Sequence, residues 1–271
     1  MPESVLNRGL ESLVCRLAPV WMPTGGERLA LADVLGSERV FAPHEALLQE
    51  HRPAEGLLLI VEGFACRFRL LPDGRRQILG ILLPGDLCEL RLLLTGPLDH
   101  SVGALGAVRA ALIPTASLAA LTEQQPRLAR ALWWRATVEE SMTREWLVNV
   151  GSRSAHARVA HLLCELYWRL EAAGLAHGGQ CRLPLTQSDL GDAVALSAVH
   201  INRTLMAMRR ASLAHLHGGR LQILDRDALR VAAGFDPRDL QLGTESERWL
   251  PSEFGALPAQ SSRMKADPLN A

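Results

Sequence analysis

The spacing of apolar residues divides the chain into a first half with strand-like patterns and a second half with helix-like patterns. From about residue 38 to residue 113, short apolar runs alternate with turn sequences such as PDG and PGD. One run has the period of a half-buried strand, with an apolar row formed by Phe64, Cys66, Phe68 and Leu70. Many short strands at this spacing predict a barrel or a jelly-roll-like sandwich, here called the β-roll.

A long helix is predicted next, because the apolar spacing changes to three or four residues beyond Pro114. Pro126 fits the first turn of this helix, which continues to about Val150. Its apolar seam can pack on the chain's own barrel or on the same helix of a second copy. The second alternative is favoured because so long a seam needs a long partner. The predicted dimer interface consists of Leu128, Ala131, Trp134, Val138 and Met142.

A pair of short helices is predicted near the C-terminus. Thr186 and Asp189 have the spacing of a capping box and start a helix of about two turns that ends near Ala195. Ser197 can cap the next helix, and two short strands follow around the glycine pair at 218–219. Helix, short turn, helix and hairpin in this order are the pattern of a winged helix-turn-helix.

The charge distribution suggests what this helix pair binds. The chain has 29 basic and 29 acidic residues, yet the window from Ala193 to Leu224 has four arginines, three histidines and no acidic residue. A helix-turn-helix places the start of its second helix against base edges in the major groove, while flanking side chains hold phosphates. The predicted DNA-binding residues are Thr186, Gln187, Ser197, Ala198, Val199, His200, Asn202, Arg203, Arg209, His217 and Arg220.

Individual side chains of the second helix have different expected roles. Arg203 matches the two acceptors of guanine, and a methyl group of Val199 can pack on thymine. The apolar residues of the same helix, Ile201, Leu205 and Met208, are expected to face the core. The alternative is a solvated basic helix in an ordinary bundle. The predicted wing and the window without acids favour DNA binding over that alternative.

Cysteine spacing and targeting signals limit the remaining possibilities. The five cysteines are far apart and include no C-x-x-C pair, which disfavours a disulfide framework or a zinc site. The N-terminus is amphipathic and charged, unlike a signal peptide, and the apolar runs are too short to span a membrane. These patterns predict a cytoplasmic protein with no membrane association and no metal or cofactor.

The order of β-roll, long helix and helix pair, together with the sequence from Leu185 to Phe235, resembles the Crp/Fnr superfamily of bacterial transcription regulators. The resemblance covers roughly residues 25–236. It implies an α+β homodimer that binds palindromic promoter DNA, with RNA polymerase as a candidate partner and a cyclic-nucleotide-binding-like sensor at the N-terminus. The implied parts are the sensor with an N-terminal helix (1–125), the dimerisation helix and hinge (126–152), the winged helix-turn-helix (153–236) and a loosely ordered tail (237–271).

Two departures from the family pattern affect specificity. Val199 stands where the recognition helix of family members typically has a glutamate, whereas Arg203 matches the pattern. The operator of better-known members is therefore not expected here. In the sensor, Asp99 and His100 stand where cyclic-AMP-binding members have the phosphate-binding arginine, and a neutral histidine beside an aspartate is a poor phosphate clamp.

The resemblance places a candidate effector pocket at Gly85, Asp86, Leu87, Cys88, Asp99, His100 and Ser101. Asp86 replaces the glutamate and Cys88 the second glycine of the family's phosphate cassette, so tight cyclic AMP binding is not expected. The effector is left unassigned. An iron-sulfur cluster is disfavoured because Cys15 is the only cysteine near the N-terminus.

Other functions remain as alternatives. A haem sensor would need axial ligands such as His44, His51 or His100. A metal-dependent enzyme on a cupin-like barrel would need two histidines one residue apart on a barrel strand, but the only such pair, His215 and His217, lies in the predicted wing. A regulatory module that binds a protein through its β-roll is the third alternative. The prediction that carries most of the observations is a regulator without enzyme activity.

Overall fold

The computed structural model describes residues 5–94 and 96–240, and its first elements are two helices, α1 (Val5–Leu17) and α2 (Gly25–Asp33). A capping box starts α2: Thr24 Oγ1 accepts a hydrogen bond from the Glu27 amide, and Glu27 Oε2 accepts one from the Thr24 amide at 2.7 Å. Leu13 and Leu17 of α1 are buried in an apolar cluster with one face of the sheet that follows. The two helices therefore cover one side of the N-terminal domain.

Eight strands form the β-roll that the sequence predicts. They pair antiparallel in two four-stranded sheets, with strand orders β1-β8-β3-β6 and β2-β7-β4-β5. This arrangement confirms the predicted jelly-roll-like sandwich. The strands are β1 (Glu38–Phe41), β2 (Ala46–Leu48), β3 (Gly56–Glu62), β4 (Ala65–Leu70), β5 (Arg76–Leu82), β6 (Leu87–Cys88), β7 (Ser101–Ala104) and β8 (Val108–Pro114).

Strand β4 differs from the half-buried strand that its alternation predicts. Ala65 is fully buried in the interior of the roll, while Phe64 and Cys66 on the other face pack in a core shared with the C-terminal domain. Leu70 is 63% exposed, because it ends the strand next to the hairpin turn at 72–74. Both faces of the strand are thus covered at its start and exposed at its end.

Three helices follow the roll: α3 (Thr115–Gln124), α4 (Pro126–Ser152) and α5 (Ala155–Ala172). The long helix α4 has Pro126 in its first turn, as predicted. Ser154 caps α5, with its Oγ accepting a hydrogen bond from the Ala157 amide at 3.3 Å.

The C-terminal domain contains the predicted helix pair and wing. Its elements are β9 (Ala176–His177), β10 (Gln180–Arg182), α6 (Gln187–Val194), α7 (Ala198–Arg210), β11 (Ala214–His217), β12 (Arg220–Ile223) and α8 (Arg226–Ala233). The wing is a sheet of four strands in the order β11-β12-β10-β9, larger than the pair of strands predicted around the glycines at 218–219.

The end of the described chain is packed more firmly than predicted. Phe235 is 5% exposed and Leu240, in the short 3-10 helix Pro237–Leu240, is 4% exposed. Both belong to the same core cluster as the buried residues of α5. The prediction of a loosely ordered tail is therefore wrong for residues 237–240, and the rest of that tail, 241–271, lies outside the described residues.

Candidate DNA-binding surface and N-terminal ion network

The turn between α6 and α7 is set by local backbone chemistry. Thr186 and Asp189 form the predicted capping box: Thr186 Oγ1 accepts from the Asp189 amide at 3.0 Å, and Asp189 Oδ2 accepts from the Thr186 amide at 2.9 Å. The helix ends at Ala195 in the left-handed conformation. A Cβ atom on Gly191 would stand 2.4 Å from the Leu196 carbonyl oxygen, so this close turn requires glycine.

Helix α7 presents one face to the core and one to solvent. Ser197 caps it, with Oγ accepting from the His200 amide at 3.3 Å. Ile201 and Met208 are fully buried, and Leu205 is half-buried, on the face that the sequence assigns to the core. All predicted DNA-binding residues are exposed: Thr186, Gln187, Ser197, Ala198, Val199, His200, Asn202, Arg203, Arg209, His217 and Arg220.

The wing adds a basic row that the sequence predicts only in part. The register pairs Arg182 of β10 with Arg220 of β12, and Arg220 with His217 of β11, so the three side chains lie side by side across three strands. Arg182 was not predicted, although its alternation with buried Cys181 is a signal for an exposed strand position. The row continues the cationic character of α7 onto the wing.

Three arginines of this surface have no partner among the residues that the structure describes. Arg203 on α7 and the wing pair Arg182 and Arg220 form no ion pair or side-chain hydrogen bond with another described residue. Surface arginines elsewhere in the chain commonly pair with carboxylates, as Arg226 does with Glu171 at 2.6 Å. Guanidinium groups without an internal partner keep all their donors for an external anion or base edge.

A buried aspartate, Asp86, forms ion pairs with three arginines where the N-terminal and C-terminal domains meet. Asp86 Oδ1 accepts from Arg135 Nη2 at 3.0 Å, Asp86 Oδ2 accepts from Arg169 Nη2 at 2.6 Å, and Arg16 Nε lies 3.4 Å from Oδ1. These arginines belong to α4, α5 and α1. Burial alone would raise the pKa of Asp86, but the three positive charges hold that pKa well below its usual range.

A second group of charges extends this cluster toward the surface of the β-roll. Arg67 Nη2 donates to Glu139 Oε2 at 3.0 Å, and Arg67 also pairs with Glu89. Burial opposes ionisation of Glu89, yet Arg67 and His100 lower the pKa of Glu89 to about 2. The continuous chain of alternating charges, here called the ion network, consists of Glu165, Arg169, Asp86, Arg135, Glu139, Arg67, Glu89 and His100.

Four of the residues that were predicted to line the effector pocket are packed inside the protein. Gly85 has a φ of +89°, and a Cβ there would stand 2.6 Å from the Ser12 carbonyl oxygen, because α1 lies directly over the turn. Leu87 packs beneath α1, and Cys88 is fully buried in the interior of the roll. The carboxylate of Asp86 faces three arginines. The prediction that these four residues line an effector pocket is corrected accordingly.

The remaining pocket residues lie nearer the surface. Asp99 accepts from Arg91 Nη1 at 2.5 Å and lies 2.8 Å from Nδ1 of His100. Burial lowers the pKa of His100, but its contacts with Glu89 and Asp99 outweigh burial and leave that pKa raised, so the histidine is less neutral than the sequence alone suggests. Ser101 Oγ accepts from the Glu50 amide at 3.0 Å. Two carboxylates, those of Glu89 and Asp99, surround His100.

The apolar seam of α4 packs within the chain. Leu128 and Ala131 belong to the cluster under α1, and Val138 is 1% exposed. Met142 packs against the core of the C-terminal domain, and Trp134 is half-buried. The prediction that this seam meets a second copy is therefore corrected: its periodicity marks a buried face, and the chain's own domains bury it.

Two features of the described part of the chain bear on other functions. Among residues 5–94 and 96–240, no group of three or more His, Cys, Asp or Glu side chains is arranged to hold a metal ion. His215 and His217, the pair considered for a cupin-like site, stack on the wing with ring centroids 5.9 Å apart. Within the same residues, no helix is both long enough and apolar enough to cross a membrane.

Comparison with known proteins matches both halves of this architecture. Residues 157–232 match the Crp-like helix-turn-helix domain, and residues 38–125 match the cyclic nucleotide-binding domain. The chain is 33% identical over 193 residues to the nitrogen fixation regulation protein FixK of Bradyrhizobium diazoefficiens, covering 70% of this chain and 79% of that protein. It is 30% identical over 196 residues to the transcriptional activatory protein AadR of Rhodopseudomonas palustris, with 71% and 80% covered.

Solved structures agree with these relatives. The structure of FixK2 from Bradyrhizobium japonicum superimposes with a TM-score of 0.68 at 26% identity, covering 74% of this chain and 99% of that one. The capped helix pair, the wing and the β-roll described above are the parts that the two family models match. The chain belongs to the Crp/Fnr superfamily of bacterial transcription regulators.

Proposed function

We propose that this protein is a homodimeric regulator that binds a palindromic promoter site through α7 and acts in the cytoplasm, with RNA polymerase as a candidate partner. The observation that carries the proposal is the set of exposed arginines on α7 and the wing that have no partner within residues 5–94 and 96–240. In this role the start of α7 enters the major groove, and Arg182 and Arg220 hold phosphates. The relatives FixK and AadR are named as regulators, which supports the same role here.

We assign dimerisation to the outer stripe of α4, defined as Trp133, Thr137, Glu140, Arg144 and Leu147. These positions recur at steps of four and three residues, directly opposite the buried seam. Trp133 and Leu147 are each 71% exposed, which is unusual for large apolar side chains on one helix face. The pair Glu140 and Arg144, 2.5 Å apart, separates the two apolar ends of the stripe.

The geometry of DNA binding fixes how two copies would meet. Both recognition helices must face the same side of the duplex, so the two-fold axis has to run along the paired α4 helices. Parallel helices then bring Trp133 against its counterpart and Leu147 against its counterpart. Half-sites would be separated by about one helical turn of DNA, roughly 34 to 36 Å.

We infer that the N-terminal domain does not use cyclic AMP as its effector. A cyclic phosphate placed near His100 would meet Glu89 and Asp99, both of which already pair with the histidine. Like charges at such distances oppose each other strongly in a partly buried site. The positive charge of Arg67 is also balanced, by Glu89 and Glu139.

Isothermal titration of the full-length protein with cyclic AMP is expected to give no binding in the micromolar range. The physical reason is the unfavourable approach of the phosphate to Glu89. Replacing this residue in Glu89→Gln should not create tight binding either, because Arg67 still pairs with Glu139 and Arg91 still pairs with Asp99. Micromolar or tighter binding to the unaltered protein would contradict this part of the proposal.

Arg203→Ala is expected to remove discrimination at one base pair of each half-site. A bidentate arginine contact to guanine contributes about 1 to 3 kcal/mol of discrimination, and alanine cannot replace it. The measurement compares binding to the selected operator and to an operator with that guanine changed, at several salt concentrations. Equal discrimination by the mutant and the parent would show that Arg203 does not read the base.

Arg209→Ala and Arg210→Ala serve as matched controls on the same helix. Both arginines are exposed near the end of α7, where phosphate is the expected contact. These variants should weaken binding to all sequences alike and lower the salt slope by about one unit for each phosphate that is no longer neutralised. Base discrimination should remain at the parent level in both controls.

A further inference from the structure

We propose that Arg76 of the β-roll is a positioning residue that holds the helix pair in one orientation and so sets the separation between the two half-sites that the dimer accepts. Arg76 begins β5, far from α7 in sequence and outside every surface described above as contacting DNA. The inference rests on the proposed dimer and palindrome. It adds a residue of the N-terminal domain to the determinants of operator architecture.

The contact is made by both ends of one guanidinium group. Arg76 Nη2 donates to Asp189 Oδ1 at 2.6 Å, and Arg76 Nε donates to Asp192 Oδ2 at 2.8 Å. Both aspartates lie on α6, one turn apart. The neighbouring Gln77 Nε2 donates to the Asp192 carbonyl oxygen at 2.8 Å. Two adjacent side chains of one strand therefore hold three acceptors of one short helix, which fixes rotation as well as distance.

Asp189 connects this contact to the start of the helix pair. Its Oδ2 completes the capping box with Thr186, while its Oδ1 receives Arg76, so one carboxylate joins the N-terminus of α6 to the β-roll. Asp189 is 1% exposed, and the Arg76 side chain is 23% exposed. The contact thus lies beside the shared core, in which Cys66 and Ile78 of the β-roll pack with the helices of the C-terminal domain.

A rotation of α6 would be transmitted to the recognition helix. The close turn at Gly191 and the burial of Ile201 in the core that also contains the buried residues of α6 make the helix pair move as one body. In a dimer, each α7 lies far from the two-fold axis, so a small rotation changes the separation of the two helices. A dimer whose helix pairs are held in one orientation accepts one separation between half-sites. A dimer whose helix pairs can rotate accepts several separations.

The test uses the full-length protein and the palindrome that the parent selects from a random-sequence DNA pool. Affinities are measured for this palindrome, for versions with one base pair added or removed at its centre, and for a single half-site. Arg76→Glu places a third carboxylate against Asp189 and Asp192. We expect the preference for the selected spacing to fall by roughly threefold to thirtyfold, in the range of interdomain coupling mutations, while the half-site affinity stays within twofold of the parent.

The matched control is Arg75→Glu, because Arg75 is the neighbouring arginine and pairs with Asp73 in the same hairpin turn instead of with α6. This control should keep the parent spacing preference. Combining Arg76→Glu with Asp192→Arg restores an opposite-charge pair and should recover the preference in part. Should Arg76→Glu not fold, Arg76→Gln removes the charge with less repulsion and is expected to show a smaller relaxation of the same sign.

An unchanged spacing preference in the Arg76 variants would overturn the proposal. So would an equal loss of affinity for half-site and palindrome, because that would mean damage to the helix pair itself. A parent protein that binds a half-site as tightly as any palindrome would overturn the proposed dimeric function and, with it, the role of Arg76. The three results differ in which DNA and which protein they involve, so they cannot be confused.

Discussion

Asp86→Asn is expected to lower the free energy of unfolding by about 3 to 5 kcal/mol, the usual effect of removing one partner of a buried ion pair. Asparagine keeps nearly the same shape, so the loss reflects charge. Arg16, Arg135 and Arg169 would remain buried with their common counter-ion gone. The change is measured by urea unfolding of the full-length protein and of the variant, both at the same protein concentration.

Asp73→Asn is the matched control, because Asp73 is an exposed aspartate in the β4–β5 turn and its carboxylate contacts the neighbouring Arg75. Its effect on the free energy of unfolding should be much smaller than that of Asp86→Asn, as for most surface substitutions. If Asp86→Asn lowered the free energy of unfolding no more than this control, the contacts of Asp86 with the three arginines would not stabilise the protein.

The same variant separates the pH dependence of Asp86 from that of other carboxylates. Because the folded-state pKa of Asp86 lies below its usual value of 3.8, its contribution to stability is present above that value and is lost as the pH falls toward the folded pKa. The parent should therefore lose more stability than Asp86→Asn when unfolding is compared at pH 6 and at progressively lower pH. Parallel losses would indicate that folding does not lower the pKa of Asp86.

Trp133→Glu is expected to give monomers and to weaken binding to the full palindrome by about 100-fold to 10,000-fold, the usual gain from linking two binding modules. Two carboxylates would face each other across the two-fold axis, each in a desolvated apolar contact. Half-site binding should be unchanged, because Trp133 is far from α7 along the chain. Light scattering and DNA titration together measure both effects.

Val231→Glu is the control for the added charge, since Val231 is 83% exposed on α8, outside the outer stripe. It should remain dimeric. Met142→Glu gives a further contrast: Met142 packs on the chain's own core, so a charge there should lower stability. A dimeric Trp133→Glu protein would refute the assignment of the interface to the outer stripe.

The predictability of each feature depended on how local its chemistry is. The caps at Thr186 and Ser197 were predictable because a capping side chain binds a backbone amide three residues away. The exposure of Arg203 followed from the same helical register that buries Ile201. The long helix α4 was predicted with its bounds because its period and Pro126 agree.

Features that depend on distant contacts were not predictable from the sequence. Asp86 meets Arg135 and Arg169 across 49 and 83 residues of chain, and no local pattern links an aspartate to partners so remote. The seam of α4 illustrates a related limit of periodicity. Apolar residues at helical spacing show that Leu128 and Val138 are buried, but the pattern is the same whether the chain or a second copy buries them.

The ion network also determines how this protein could be recombined with its relatives. A cut at Arg153, between α4 and α5, follows the apparent domain boundary, yet it would part Asp86 from Arg169 and the β4–β5 face from the helices that cover it. A hybrid protein joined there would keep the Asp86 carboxylate and the apolar β4–β5 face but would lack the side chains that cover them in this protein. Exchange of the DNA-binding half should therefore succeed only where the protein that donates this half also has, in its own sensor, an acid at the position of Asp86 and an arginine at the position of Arg76, because Asp86 pairs with Arg169 and Arg76 pairs with Asp189 and Asp192 across that cut.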